Sequence, residues 1–121
     1  MLQEIDTGKI QKIKSQLVCP VELALRVLGG KWRGSIMYQL KDGPLRFNHL
    51  KIRVQDAVVD YDDADNILSN KLLSLHLSEL CDFGLISKTS YDSHAEYGLT
   101  PKGQSSIPIL LDLFDRGATH F

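Results

Sequence analysis

The chain has 121 residues, of which 43% are hydrophobic and 24% charged, and its formal net charge is −1. This length suits one compact domain, and the composition is that of a folded soluble protein, which excludes a long disordered chain. No apolar run approaches the ~20 residues that cross a bilayer, and the polar start "MLQEIDTGKIQKIKSQL" is unlike a secretory signal. We therefore expect a cytoplasmic protein with no membrane partner, whose two cysteines are free thiols.

The first half of the chain predicts four helices. Residues 2–17 and residues 31–40 both carry apolar side chains at helical spacing. Between them, a helix is expected to begin at Pro20, because a proline in the first turn sacrifices no hydrogen bond, and to end at Gly29-Gly30. "KDGP" predicts a turn before the fourth helix. The apolar stripe of that fourth helix, within "RFNHLKIRV", consists of Phe47, Leu50 and Val54.

An acidic stretch, "DAVVDYDDAD" at residues 56–65, follows the fourth helix. It holds five of the 15 acidic residues and no Lys or Arg, so the rest of the chain is mildly basic. The stretch fails the calcium-loop pattern, because no Gly stands at the sixth position from Asp60 and Lys71 replaces the final Glu. We expect no metal and no cofactor, and interpret the stretch as a solvated or partner-facing loop. A third interpretation is that it folds against basic surface and weakens nucleic-acid binding.

The second half predicts a helix, a hairpin and a last helix. Ser69 is a good N-cap, and Gly84 is expected to end the helix that follows. The inward stripe of this helix consists of Leu73, Leu77 and Leu80. "LISKTSY" and "AEYGLT" flank the tight turn "DSH" and predict a two-stranded hairpin. Pro101 opens the last helix, and Pro108 is expected to bend it or delay its regular part. Its apolar residues are Ile107, Leu110, Leu111 and Phe114.

This order of elements predicts a mainly α fold with a small antiparallel β-hairpin. A helix pair followed directly by a hairpin is the winged helix-turn-helix arrangement, and the hairpin must pack on the helices because it is not stable alone. No Walker loop, nucleophile elbow, dinucleotide fingerprint or metalloprotease helix occurs, so we do not expect an enzyme.

Four segments, in order, resemble the signature segments of the HxlR family of winged helix-turn-helix transcriptional regulators, which is similar to the MarR group. They are "CPVELALRVLGGKW", "GPLRFNHL", "LSNKLLSLHLSELCDFGLI" and "EYGLTPKG". The resemblance implies one winged-helix domain over residues 1–121 that forms a homodimer through helices at 1–18 and 101–121. It also implies a recognition helix starting near Ser69, a hairpin wing, and binding to double-stranded DNA at a pseudo-palindromic operator.

The candidate DNA contacts follow from this arrangement. The recognition helix offers its first turns to base edges, and basic residues elsewhere hold phosphates. The recognition-helix candidates are Ser69, Asn70, Lys71, Ser74, Leu75 and His76. The phosphate candidates are Arg46, Lys31, Arg33, Arg53, Lys88 and His94, with Arg46 expected to open the fourth helix. Each of these side chains has an ordinary solvated surface role as its alternative.

Two features favour an alternative function, a dimeric winged-helix interaction protein that no longer reads DNA. The link between "RFNHL" and the recognition helix is longer than is usual in the family, and it contains the acidic stretch. The wing tip "YDSHAEY" is shorter than the usual one. A separate departure from the family pattern is that Leu75 and His76 stand where a polar residue and an Arg are common.

Cys19 directly precedes Pro20 and is therefore expected at or beside the N-cap of its helix. Free amide N–H groups and the helix dipole at that position favour thiolate over thiol, which supports reactivity. The resemblance adds that some family members sense oxidants or electrophiles through a cysteine at this position. Burial among apolar neighbours is the alternative, since free cysteine is often a packing residue. Cys81 is a weaker candidate as a partner thiol.

Overall fold

A computed structural model describes residues 19–57 and 67–121 of the chain. The helix predicted over residues 2–17, and most of the acidic stretch, lie outside the described residues. The elements are α1 (Pro20–Leu28), α2 (Arg33–Gln39), β1 (Leu45–Arg46), α3 (Phe47–Ala57), α4 (Asn70–Asp82), β2 (Ile86–Ser90), β3 (Ala95–Leu99) and α5 (Pro101–Thr119). The architecture is mainly α with a small antiparallel sheet, which confirms the expected winged-helix class.

The ends of α1 follow the sequence signals. Cys19 is the N-cap in extended conformation, and Pro20 occupies the first turn. Gly29 is the C-cap, and Gly30 has φ 92°, a left-handed conformation that side chains with a Cβ rarely adopt. The next helix is shorter than predicted, because Trp32 serves as the N-cap of α2 and Leu40 as its C-cap.

The helix α4 is held by both of its predicted signals. The hydroxyl of Ser69 accepts a hydrogen bond from the backbone N–H of Leu72 at 3.0 Å, which confirms the N-cap. The three leucines of the predicted stripe are buried, so this face of α4 is fixed in the core. Gly84 follows the helix at φ 76°, and this left-handed residue turns the chain into β2.

The sheet has three strands in the order β1-β3-β2, one more than the predicted hairpin. The strand β1 pairs antiparallel with β3, so that Arg46 lies opposite Glu96. The expectation that Arg46 opens the fourth helix is therefore wrong, since that helix begins at Phe47. A two-residue strand is too short to show a period of two in the sequence, and only pairing with β3 defines it.

The last helix, α5, begins where predicted. Thr100 caps it by accepting from the N–H of Gly103 at 3.1 Å, and the same hydroxyl donates to the carbonyl of Gly84 at 2.5 Å. A Cβ at Gly103 would collide with the carbonyl oxygen of Leu85, so glycine permits this close approach. The helix continues through Pro108 from Pro101 to Thr119, so the delayed start is wrong.

The hydrophobic core lies between α2, α3, α4, β2 and the first half of α5. Ile107 and Leu110 are its contributions from α5, whereas every residue after Leu110 in that helix is exposed. The helix α1 has no buried residue, and Val21 and Leu25 are more than half exposed. Within residues 19–57 and 67–121, no helix combines the length and apolarity needed to cross a membrane.

Candidate nucleic-acid interface and thiol site

One face of α4 is open to solvent over its first two turns. Burial of the leucine stripe on the opposite face forces the intervening side chains outward. Leu75 is 53% exposed although it is apolar, which confirms that it lies outside the core stripe. The exposed sequence-predicted residues of this surface are Ser69, Asn70, Lys71, Ser74 and Leu75.

A groove of about 640 Å³ separates α3 from the wing, and three predicted phosphate contacts line it. They are Arg46, Lys88 and His94, of which Arg46 lies far in sequence from the other two. The pairing of β1 with β3 brings Arg46 to the wing, and the pairing of β2 with β3 brings Lys88 alongside. The groove thus brings the hydrogen-bond donors of Arg46, Lys88 and His94 together next to the wing.

The wing side of this groove is organised by two side chains around His94. His94 Nε2 lies 3.3 Å from Glu96 Oε2, and its ring stacks on Tyr91 with the centroids 4.8 Å apart. Lys88 Nζ lies 5.8 Å from the centroid of the Tyr97 ring. These contacts hold His94 and Lys88 in defined positions on a short wing whose tip contains no proline.

The sequence reasoning missed two polar residues of the groove, Asn48 and His49. Both are exposed positions in the first turn of α3. The signal was present, because they fall between Phe47 and Leu50 and so point away from the apolar stripe. Lys31 and Arg53 are also exposed but do not line the groove, and Lys31 Nζ lies 5.6 Å from the Trp32 ring.

Arg33 does not present its charge to solvent as a phosphate contact would. Its guanidinium makes a 3.0 Å ion pair with Glu79, and its side chain is only 12% exposed. Arg33 Nε also donates to His76 Nδ1 at 3.5 Å. This placement corrects the expected surface role of Arg33, because the guanidinium is already committed inside the fold.

His76 is half-buried in the same network. Burial, and then the positive charge of Arg33, lowers the pKa of His76 below its ordinary value of 6.5, against the opposing charge of Glu79. The neutral ring accepts at Nδ1 and therefore carries its proton on Nε2. The candidate donor to a phosphate is thus Nε2–H.

The two cysteines are free thiols in different surroundings. Cys19 is exposed, so the packing alternative is not supported by the described residues, and it lies at the N-cap as predicted. Cys81 is half-buried, and burial, followed by the charge of Asp82, raises the pKa of its thiol. Among the described residues, no cluster of three His, Cys, Asp or Glu side chains suits a metal ion.

Comparison with known proteins decides the family. Residues 27–121 match the HxlR-like helix-turn-helix family. The chain belongs to the HxlR family of helix-turn-helix transcriptional regulators. This HxlR protein is 35% identical over 105 residues to an HTH-type transcriptional regulator of Methanothermobacter thermautotrophicus, covering 84% of this chain and 72% of that protein.

Solved structures of redox regulators have the same fold as this HxlR protein. The redox regulator HypR in its reduced form superposes with a TM-score of 0.70 at 32% identity, over 84% of this chain and 92% of that one. Quinone-bound YodB from B. subtilis superposes with a TM-score of 0.63 at 27% identity, over 85% of this chain and all of that one. The relatives are thus named as regulators, and two further solved structures with this fold are HypR in its oxidized form and diamide-treated YodB from B. subtilis.

Proposed function

We propose that the protein is a homodimeric, DNA-binding transcriptional regulator that senses oxidants or electrophiles through Cys19. The observation that carries the DNA-binding part is the exposed face of α4 beside the cationic groove. An α-helix fits the major groove of DNA, and the cationic groove of the protein lies next to α4, on the side of the wing. The family supports the same reading.

The proposed contacts divide into two classes. Side chains of the first turns of α4 reach base edges, with Leu75 packing on a thymine methyl group. The base-reading residues are Ser69, Asn70, Lys71, Ser74 and Leu75. The phosphate contacts are Arg46, Lys88 and His94 in the groove, His76 through Nε2–H, and Lys31 and Arg53 at the flanks. Asn48 and His49 add two further phosphate donors, and Arg33 is omitted because it binds Glu79.

Exposed apolar side chains on two helices support the dimer. On α5, Ile109, Leu113 and Phe114 are 54%, 52% and 60% exposed, and α1 exposes Val21 and Leu25. Contiguous apolar surface of this kind marks an interaction face. We propose that residues 1–18 and 101–121 form the dimer interface of a single domain spanning 1–121. A two-fold dimer then requires a pseudo-palindromic operator with half-sites about one helical turn apart.

The exposure of Cys19 at the start of a helix supports the sensing role. An exposed thiol is accessible to a small reactant, and accessibility is one of the conditions for cysteine reactivity. With a quinone, the sulfur would add across the conjugated C=C bond, forming a C–S bond while the thiol proton ends on the reduced ring. The step needs no other oxidant, because the quinone ring is itself reduced to the hydroquinone, and the bulky adduct would stand at the start of α1.

The test of DNA binding is a mobility-shift titration on a duplex selected from a random pool, repeated across salt concentrations. We expect a steep loss of affinity with salt, and Lys88→Gln, which removes a proposed phosphate contact from each subunit, should weaken binding and reduce the slope by about one per subunit. Binding that shows no sequence preference, or none at all, would instead favour the interaction protein that does not read DNA.

The test of sensing uses the same assay with 1,4-benzoquinone. We expect quinone to release DNA from the wild-type protein and from Cys81→Ser, but not from Cys19→Ser. Equal release from all three proteins would exclude Cys19 as the sensing residue. Retention of the response in Cys81→Ser is the matched control, because that variant also loses one thiol.

A further inference from the structure

Arg33 lies between the end of α1 and the middle of α4 and contacts both. Its Nη1 donates to the backbone carbonyl oxygens of Arg26 and Val27, each at 3.3 Å. Its Nη2 lies 3.0 Å from Glu79 Oε1, and its Nε lies 3.5 Å from His76 Nδ1. One side chain from the first residue of α2 therefore joins the helix that carries Cys19 to the recognition helix.

The chemistry of the guanidinium explains why this residue type suits the position. The last carbonyls of a helix have no partner within it, and they carry the negative end of the helix dipole. A cation that donates to them satisfies both requirements. The fixed fork of five N–H groups spreads its donors over three nitrogens and serves those carbonyls and a carboxylate together, whereas the three donors of a lysine ammonium all sit on one nitrogen. Arg33 also lies over the Phe83 ring, 5.5 Å from its centroid.

The two helices that Arg33 joins are anchored very differently. The helix α4 is fixed by its buried leucine stripe. The helix α1 has no buried residue, and only Val27 and Leu28, in its last turn, pack against the core. The carbonyls that Arg33 binds belong to this same last turn. Contacts from Arg33 therefore act together with the packing of Val27 and Leu28 in holding α1 in place relative to α4.

We propose that Arg33 is a positioning residue that couples the placement of α1 to that of the recognition helix α4. A change that displaces α1 at its Cys19 end withdraws the Arg26 and Val27 carbonyls and frees the guanidinium to move, which alters its contacts with Glu79 and His76. Coupling of this kind is reciprocal, so a change on α4 must also be felt by α1. The inference rests on the proposed function only for the purpose of the coupling, which is to carry a change at Cys19 to the DNA-binding helix.

The first test needs no DNA and reads α1 after a change on α4. Hydrogen–deuterium exchange of the α1 amides is compared for the wild type, Glu79→Gln and Asp82→Asn. Glu79→Gln weakens the hold on Arg33 and should speed exchange in α1 roughly three- to tenfold. Asp82→Asn is the matched control, because it removes a carboxylate from the same helix on the side that lines a cavity with Lys88 and Tyr97. Unchanged exchange in α1 of Glu79→Gln overturns the proposal.

The second test reads the coupling in the regulator itself. The ratio of DNA affinities before and after benzoquinone treatment is measured for wild type, Arg33→Lys and Arg26→Gln. Arg33→Lys keeps a charge beside Glu79, so DNA binding before treatment should persist while the ratio falls towards one. Arg26→Gln removes an exposed side-chain charge but keeps the backbone carbonyl that Arg33 binds, so it should keep the wild-type ratio. An Arg33→Lys ratio equal to that of the wild type contradicts the coupling.

The two tests separate the two claims. If the wild-type protein fails to bind DNA or to respond to quinone, the proposed function fails, and the exchange measurement alone decides whether Arg33 couples the helices. If the wild type responds and Glu79→Gln leaves α1 unchanged, the function stands and the role of Arg33 is refuted.

Discussion

The body of the molecule and its two outer helices bury their apolar residues to very different extents. In the body, made of α2, α3, α4 and the sheet, the apolar stripes meet one another and are removed from water. In α1 and the second half of α5, similar side chains stay exposed. Because burial of apolar surface drives folding, the body can fold on its own apolar contacts without a second chain. The outer helices carry the apolar face that we assign to the dimer.

The largest expected effect tests the core of the body. Leu73→Ala removes a side chain that is fully buried on α4 and should lower the free energy of unfolding by about 2–5 kcal/mol. Leu75→Ala, on the exposed face of the same helix, should change it by roughly 0.5 kcal/mol or less. Urea denaturation at one protein concentration measures both. Similar losses in the two variants would mean that α4 is not oriented as described.

The next effect tests the outer helices. Ile109→Asp places a charge on the exposed apolar face of α5 and should weaken the dimer by roughly 100-fold or more, because an unpaired charge would be buried. Analytical ultracentrifugation measures the dissociation constant. Gln104→Asp should leave the dimer intact, because this exposed position in the first turn of the same helix is turned away from the apolar face of Ile109 and Leu113. A dimer that persists in Ile109→Asp would place the interface elsewhere.

A smaller effect distinguishes the two thiols, one on an outer helix and one in the body. Cys19 is exposed, whereas Cys81 is half-buried with a raised pKa, so iodoacetamide at pH 7.5 should alkylate Cys19 first. Peptide mass spectrometry follows each site over time. The difference should shrink in denaturing urea, where burial is lost. Faster reaction at Cys81 in the native protein would contradict the placement of both residues.

The smallest effect is a pH dependence from His76. Its pKa is lowered in the folded state, so on acidification through about 6.5 the unfolded chain takes up a proton that the folded chain refuses. Its contribution to stability is therefore complete above this pH and is lost as the pH falls below it. Replacing the ring by an amide, His76→Gln, should make the urea midpoint fall less between pH 7.5 and pH 5.5. An identical fall in both proteins would exclude His76 as a cause.

Much of the architecture could be predicted because its signals are local. The proline, glycine and serine at helix ends act through their own backbone and side-chain geometry, and the leucines of the α4 stripe recur at helical spacing. The strand β1 could not be predicted, since its two residues are defined only by partners about fifty positions later. For the same reason, Arg46 was expected on a helix.

The candidate site also has one part that could be predicted from local signals and one part that could not. The exposed face of α4 follows from the periodicity, and Cys19 was placed correctly by the proline beside it. The groove that collects Arg46, His49, Lys88 and His94 required the sheet to form. The role of Arg33 could not be predicted from the sequence, because its partner His76 lies 43 positions away and reaches the guanidinium only in the folded chain.

The sequence by itself determined where α1 begins and ends, where α4 and α5 begin, which faces are apolar, and which family the chain resembles, because propensity, capping and spacing act over a few residues. Only the tertiary structure decided which charges remain available to a partner. Arg33 and Lys71 are both basic residues at the start of a helix, but one is bound to Glu79 and the other is exposed. That difference depends on long-range packing, which brings a carboxylate to one cation and water to the other.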